Sequence, residues 1–86
     1  MGETEIGRVT HYFSKIGVAA LEITSGELKV GDTIHIKGHT SDFTTTIESM
    51  QIEHDQVPVA KVGDSIGIKV PEHTRQHDQV FVVTPD

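Results

Sequence analysis

The 86-residue sequence has no cysteine and no tryptophan, only three Phe and one Tyr, and seven basic side chains against thirteen acidic ones. Without cysteine, no disulfide can staple the fold and no thiolate can hold a metal. With so few aromatics the core must be aliphatic. No apolar run approaches the roughly 20 residues needed to span a bilayer. The start, Met1-Gly2-Glu3-Thr4-Glu5, is acidic, unlike the basic opening of a secretory signal. The expectation is a cytoplasmic protein without membrane contact. A formal net charge of −6 opposes non-specific adhesion to phosphate backbones, which depends on Lys and Arg neutralising phosphates. Nucleic acid would have to be met at a local site. The six histidines temper this, because protonating all of them brings the formal charge to about zero as pH falls through roughly 6.5.

Catalytic patterns are equally sparse. Gly2-Glu3-Thr4-Glu5-Ile6-Gly7-Arg8-Val9 has the glycine spacing of a phosphate-binding loop. Arg8 replaces its lysine and Val9 its magnesium-binding hydroxyl, with no strand before and no helix after, so GTP binding by that route is not expected. His73 and His77 have the i, i+4 spacing of a helical metal site. Thr74 occupies the place of the zinc-protease glutamate, and the stretch follows Pro71 in a loop. No nucleophile elbow is present. The expectations are no enzyme activity, no cofactor and no metal.

What the chain does have is a repeat. Leu28-Lys29-Val30-Gly31-Asp32-Thr33-Ile34-His35-Ile36-Lys37-Gly38 returns as Ala60-Lys61-Val62-Gly63-Asp64-Ser65-Ile66-Gly67-Ile68-Lys69-Val70, offset by 32 positions. In each copy a Lys-Val-Gly-Asp turn feeds an alternating strand. Ile34 and Ile36 face in, while His35 and Lys37 face out as solvated residues, because successive side chains alternate across a strand. Ten threonines add to the strand propensity. Further strands are expected from Ile6 to Phe13, from Val18 to Ile23, from Phe43 to Glu53 and from Gln79 to Val83. Ile6 and Val9 differ in parity, as do Ile47 and Met50, which requires a bulge or bend in the first strand and another near Glu48-Ser49. His54 to Ala60 is too short and too interrupted by Pro58 for a helix. Pro71 to Asp78 is a polar excursion. The chain has room for one domain over residues 1–86, ordered from about 5 to 84. It reads as all-β: a small closed six-stranded antiparallel β-barrel, in which closure removes the edges an open sheet must protect.

Two segments carry a family resemblance. Ile47-Glu48-Ser49-Met50-Gln51-Ile52-Glu53-His54, running on to Ala60-Lys61-Val62-Gly63-Asp64-Ser65-Ile66-Gly67, resembles the second domain of translational GTPases, the β-barrel of elongation factor Tu and elongation factor 1-alpha. Gly26-Glu27-Leu28-Lys29-Val30-Gly31-Asp32 resembles that domain's earlier turn, at the right distance upstream. The resemblance implies a barrel of the translation-factor domain 2 type. It also implies an RNA or partner site at Gln51, Ile52, Glu53 and His54, where the family holds the aminoacylated end of tRNA. Gln51 stands for the family's glutamate and lacks its charge. Glu53 stands for a histidine and adds a negative charge beside the place of a phosphate.

The expectation from the resemblance is a stand-alone, non-catalytic binding module of translation or RNA processing. Its partners would be tRNA, ribosomal RNA or a protein of the translation apparatus. The alternative is a detached accessory barrel that positions a larger enzyme, since similar barrels are appended to U32 peptidase-like proteins.

Overall fold

The structure, a computed structural model, describes residues 2–53 and 55–84. Among these, every helix-free stretch of regular backbone is a strand: β1 (Gly2–Phe13), β2 (Val18–Ile23), β3 (Glu27–Lys29), β4 (Thr33–Lys37), β5 (Asp42–Thr46), β6 (Met50–Ile52), β7 (Asp55–Val57), β8 (Val59–Lys61), β9 (Ser65–Lys69) and β10 (Gln79–Thr84). Alternation sets the inner faces. Ala19, Leu21 and Ile23 of β2, Ile34 and Ile36 of β4, and Ile66 and Ile68 of β9 are all buried. The core is aliphatic as expected, with Phe43 its one buried aromatic among the described residues and Tyr12 packed at its margin.

Ten strands stand where the sequence predicts six. The stretch from Phe43 to Glu53 is broken at residues 47–49, giving β5 and β6. The three-residue strands β3, β7 and β8 exist because a partner pairs with them, and no apolar period announces them. The first strand also begins earlier than expected, at Gly2. Its opening residues are exposed and are held by backbone pairing to β10, so hydrophobic pattern is silent there. The parity change in β1 is absorbed by two bulges, one between Glu5 and Gly7 against β10 and one between Val9 and His11 against β2.

Eight strands form one antiparallel sheet in the order β5, β4, β10, β1, β2, β9, β6, β7, and β3 pairs with β8 in a separate ribbon. β5 is at one end of the large sheet and β6 is near the other, yet only residues 47–49 separate them. Such a link spans about 14 Å at most. The sheet therefore curls until its two ends lie along one stretch of chain.

The repeated turns have one geometry. Asp32 Oδ2 accepts the Lys29 N–H at 2.9 Å, and the Asp32 N–H returns to the Lys29 carbonyl at 3.0 Å. Asp64 does the same to Lys61 at 2.8 and 2.9 Å. A third copy occurs at Arg75-Gln76-His77-Asp78, where Asp78 Oδ2 accepts the Arg75 N–H at 2.9 Å and the Asp78 N–H returns to the Arg75 carbonyl at 3.1 Å. The third residue of each turn has a positive φ: 97° at Gly31, 93° at Gly63 and 76° at His77. In each copy that residue's N–H and the aspartate's carbonyl bracket one apolar residue across the ladder: Ile47, Ile23 and Val9, at 2.8 to 3.0 Å. Each turn then launches a strand, β4, β9 and β10 in order. The residue just before each turn is buried: Leu28, Ala60 and Thr74. Leu28 and Ala60 face each other across the ribbon, whereas the Thr74 hydroxyl is buried without a hydrogen-bond partner among the described residues.

Two outcomes follow for stability. Gly31→Val and Gly63→Val force a β-branched residue into left-handed backbone and should each cost about 1–3 kcal/mol. Thr74→Val replaces an unpaired buried hydroxyl with a methyl and should stabilise by about 1 kcal/mol. Urea and thermal melts of the three variants measure both, and unchanged midpoints would refute the account of the turns.

Candidate functional site

The hairpin between β1 and β2 carries apolar side chains to its tip, and they do not all fold inward. Phe13 is 46% exposed and Ile16 60% exposed. They form one wall of an open groove of about 390 Å³. Val18 and Ala20 of β2 and Gly67 of β9 make its floor. This juxtaposition follows from the ladder, since Ala20 pairs with Gly67 and Gly67 pairs in turn with Gln51 of β6. A side chain at position 67 would approach Val18 Cγ1, so its absence keeps the floor open. Gln51, Glu53 and Ser65 supply the polar rim. Glu53 is held at φ 50°, a conformation unusual for a residue with a side chain and often found where a side chain must be aimed.

Of the residues expected to form the site, Gln51 and Glu53 are exposed and line this groove. Ile52 points the other way and packs against the core, as its position between them on a strand requires. His54 lies outside the described residues. The sequence reading missed Phe13, Ile16, Ser65 and Gly67. The signal for the first two was available: two large apolar residues flank the polar pair Ser14-Lys15 at a hairpin tip, where burial is not expected. The other large exposed apolar residues, Val30 and Val62, occupy the same position in two copies of the turn and are exposed by its geometry.

His73 and His77 do not share a helical face. His77 lies in the third turn and His73 two residues before it, its ring edge-on to Tyr12 with centroids 4.6 Å apart. No group of three or more His, Asp and Glu among the described residues is arranged to hold a metal. Nor is any helix there long and apolar enough to cross a membrane.

The fold and groove define a class. The family model for elongation factor Tu domain 2 matches residues 17–77, and the chain belongs to that family. Its relatives are of a more particular kind. It is 40% identical over 80 residues to an uncharacterized protease of Methanocaldococcus jannaschii, covering 92% of this chain and 19% of the relative. It is 39% identical over 80 residues to a collagenase of Porphyromonas gingivalis, covering 92% of this chain and 22% of the relative. The chain thus spans about a fifth of the length of the curated relatives it matches. Among solved structures, the C-terminal domain of a U32 peptidase-like protein from Geobacillus thermoleovorans superposes with a TM-score of 0.84 at 20% identity, covering 90% of this chain and 96% of that one. That likeness is one of fold.

A second polar cluster lies on the outer face of the sheet, away from the groove residues. His35 faces outward as expected, but it is half-buried between two carboxylates. Its Nδ1 donates to Glu3 Oε2 at 2.6 Å and its Nε2 donates to Asp42 Oδ1. Phe81 of β10 flanks the ring with centroids 6.2 Å apart. The hydrogen bonds to Asp42 and then Glu3 hold the imidazole pKa above its usual 6.5, against a smaller opposing effect of burial. A histidine whose folded pKa is raised contributes stability that is complete below its unfolded pKa and is lost as pH rises through the folded one. The stability difference between the wild type and His35→Gln should therefore be largest below about pH 6.5 and shrink above it. Urea midpoints of both proteins across pH 5 to 9 measure this, and a difference that grows with pH would contradict it.

Proposed function

We propose that this chain is a non-catalytic accessory barrel of the kind carried by U32 peptidase-like proteins, and that it binds polypeptide to orient or tether a larger enzyme. The observation that carries the reading is the pattern of relatedness. Nearly the whole chain aligns, at about 40% identity, with a fifth of two proteins named as proteases, and its fold is that of a domain cut from a U32 peptidase-like protein. We read the curled sheet as a closed six-stranded barrel, with β5 and β6 as two halves of one strand. This is supported by β5 pairing with β4 while β6 pairs with β9.

The RNA reading draws on the family resemblance alone. Against it stand the net charge of −6 and a groove whose one charged lining residue, among the described residues, is Glu53. A carboxylate at that position repels a phosphate, and the electrostatic attraction that dominates RNA affinity is missing.

Affinity capture from the native cell with the immobilised chain tests the assignment, read for RNA and protein together at about 50 mM salt, where phosphate contacts are strongest. The expected result is a stoichiometric peptidase-like protein with RNA no higher than on bare resin. Retention of tRNA or ribosomal subunits in its place would overturn the proposal.

A further inference from the structure

We infer that the groove between the β1–β2 hairpin and β6 takes an extended polypeptide segment presenting an apolar side chain followed by a basic one. This rests on the accessory-barrel reading and specifies what that barrel grips.

The apolar half follows from the walls. Phe13 and Ile16 stay exposed at the hairpin tip, and they border a floor of Val18, Ala20 and the Gly67 backbone. An aromatic ring beside an open apolar pocket is the usual anchor point of a binding surface. The open space of about 390 Å³ has room for an aliphatic or aromatic side chain together with the peptide backbone and neighbouring residue that carry it.

The basic half follows from charge. Among the described residues lining the groove, Glu53 is the one charged group. Lys15, on the same hairpin, lines a neighbouring depression with His11, Tyr12, Phe13 and Ile16 and is not among the residues that line this groove. Lys69 pairs with Val18 of the floor across the ladder, but it lines the adjoining depression beside Thr46 and Glu48 and not this groove. Glu22 neighbours Ser65 across the ladder, but its carboxylate is engaged by Arg8 at 3.2 Å. Among the described residues Glu53 is thus the one charge on the rim of the groove, and the left-handed backbone at φ 50° sets where it points. Gln51 and Ser65 beside it can donate and accept hydrogen bonds to a peptide backbone. The groove therefore complements a cation next to an apolar group, and it disfavours a phosphate.

The test uses three fluorescein-labelled probes titrated against the intact chain: a flexible hexapeptide containing Leu-Arg, the same peptide with Leu-Glu, and a hexauridylate. The expected result is weak binding of the Leu-Arg peptide, about three- to five-fold tighter than the Leu-Glu peptide, as a partly exposed ion pair provides. The difference should narrow in high salt. Phe13→Ser should abolish binding of both peptides. Glu53→Lys should reverse the preference. Glu53→Gly should erase it without lowering the melting temperature, because glycine suits left-handed backbone, so loss of preference there is not loss of fold.

Equal affinity for the two peptides, preference unaltered in Glu53→Lys, tighter binding of the hexauridylate, or no peptide binding at millimolar concentration would each overturn the inference. If a peptidase-like protein is still captured from lysate in those cases, the accessory-barrel reading stands and only its occupant is wrong.

Discussion

One contact organises this barrel: an aspartate carboxylate that reaches back three residues and accepts a backbone N–H. It occurs at Asp32, Asp64 and Asp78. In each case the same turn offers its next N–H and carbonyl to an apolar residue across the ladder, Ile47, Ile23 or Val9. A hydrogen bond to an ionised side chain contributes about 1.5–3 kcal/mol where water is limited and less where the turn is exposed. The larger consequence is geometric. Each turn sets the register of the strand it launches, and register decides which face of that strand is buried. Ile34 and Ile36, Ile66 and Ile68, and Val80 reach the core because the turns before them are closed.

The three turns are equivalent in geometry and unequal in composition. Two use glycine where φ is positive, and the third uses His77. Two place an apolar residue at the buried position before the turn, and the third places Thr74, whose hydroxyl has no partner among the described residues. The third copy thus carries costs of conformation and desolvation that the other two avoid, while its aspartate, Asp78, is the buried one of the three, where a hydrogen bond to a carboxylate contributes most. The groove is built elsewhere, from the tip of the β1–β2 hairpin, the floor of β2 and β9, and the end of β6. The hairpin wall is apart from the turns, while Ser65, directly after Asp64, joins the second turn to the rim of the groove.

The site also explains how membership of the elongation factor family coexists with relatives named as proteases. The barrel positions the end of β6 against the β1–β2 hairpin whatever side chains occupy it. In this chain Gln51 and Glu53 make that rim neutral to acidic, which changes what the same geometry can hold. The fold is shared, and under the proposed function the charge at a few rim positions sets the class of ligand.

Much of this was legible before any coordinates. The Lys-Val-Gly-Asp repeat, the alternating isoleucines and the parity breaks in the first and fourth expected strands are local signals, and they specified an all-β chain with bent strands. Gln51 and Glu53 were reachable through the family resemblance. The third turn was not, because only its aspartate survives and hydrogen bonding to the backbone leaves no further trace in composition. The strands β3, β7 and β8 escaped for a related reason: three residues are too few to show a period, and their pairing partners are distant in sequence. The seat of His35 between Glu3 and Asp42, and the meeting of Phe13 with Gly67 and Glu53, join residues tens of positions apart. Sequence by itself determined which residues could be strand, turn and core, since those choices rest on neighbours along the chain. The curl of the sheet alone decided which outward side chains meet, because that contact depends on how strands order themselves around a common core.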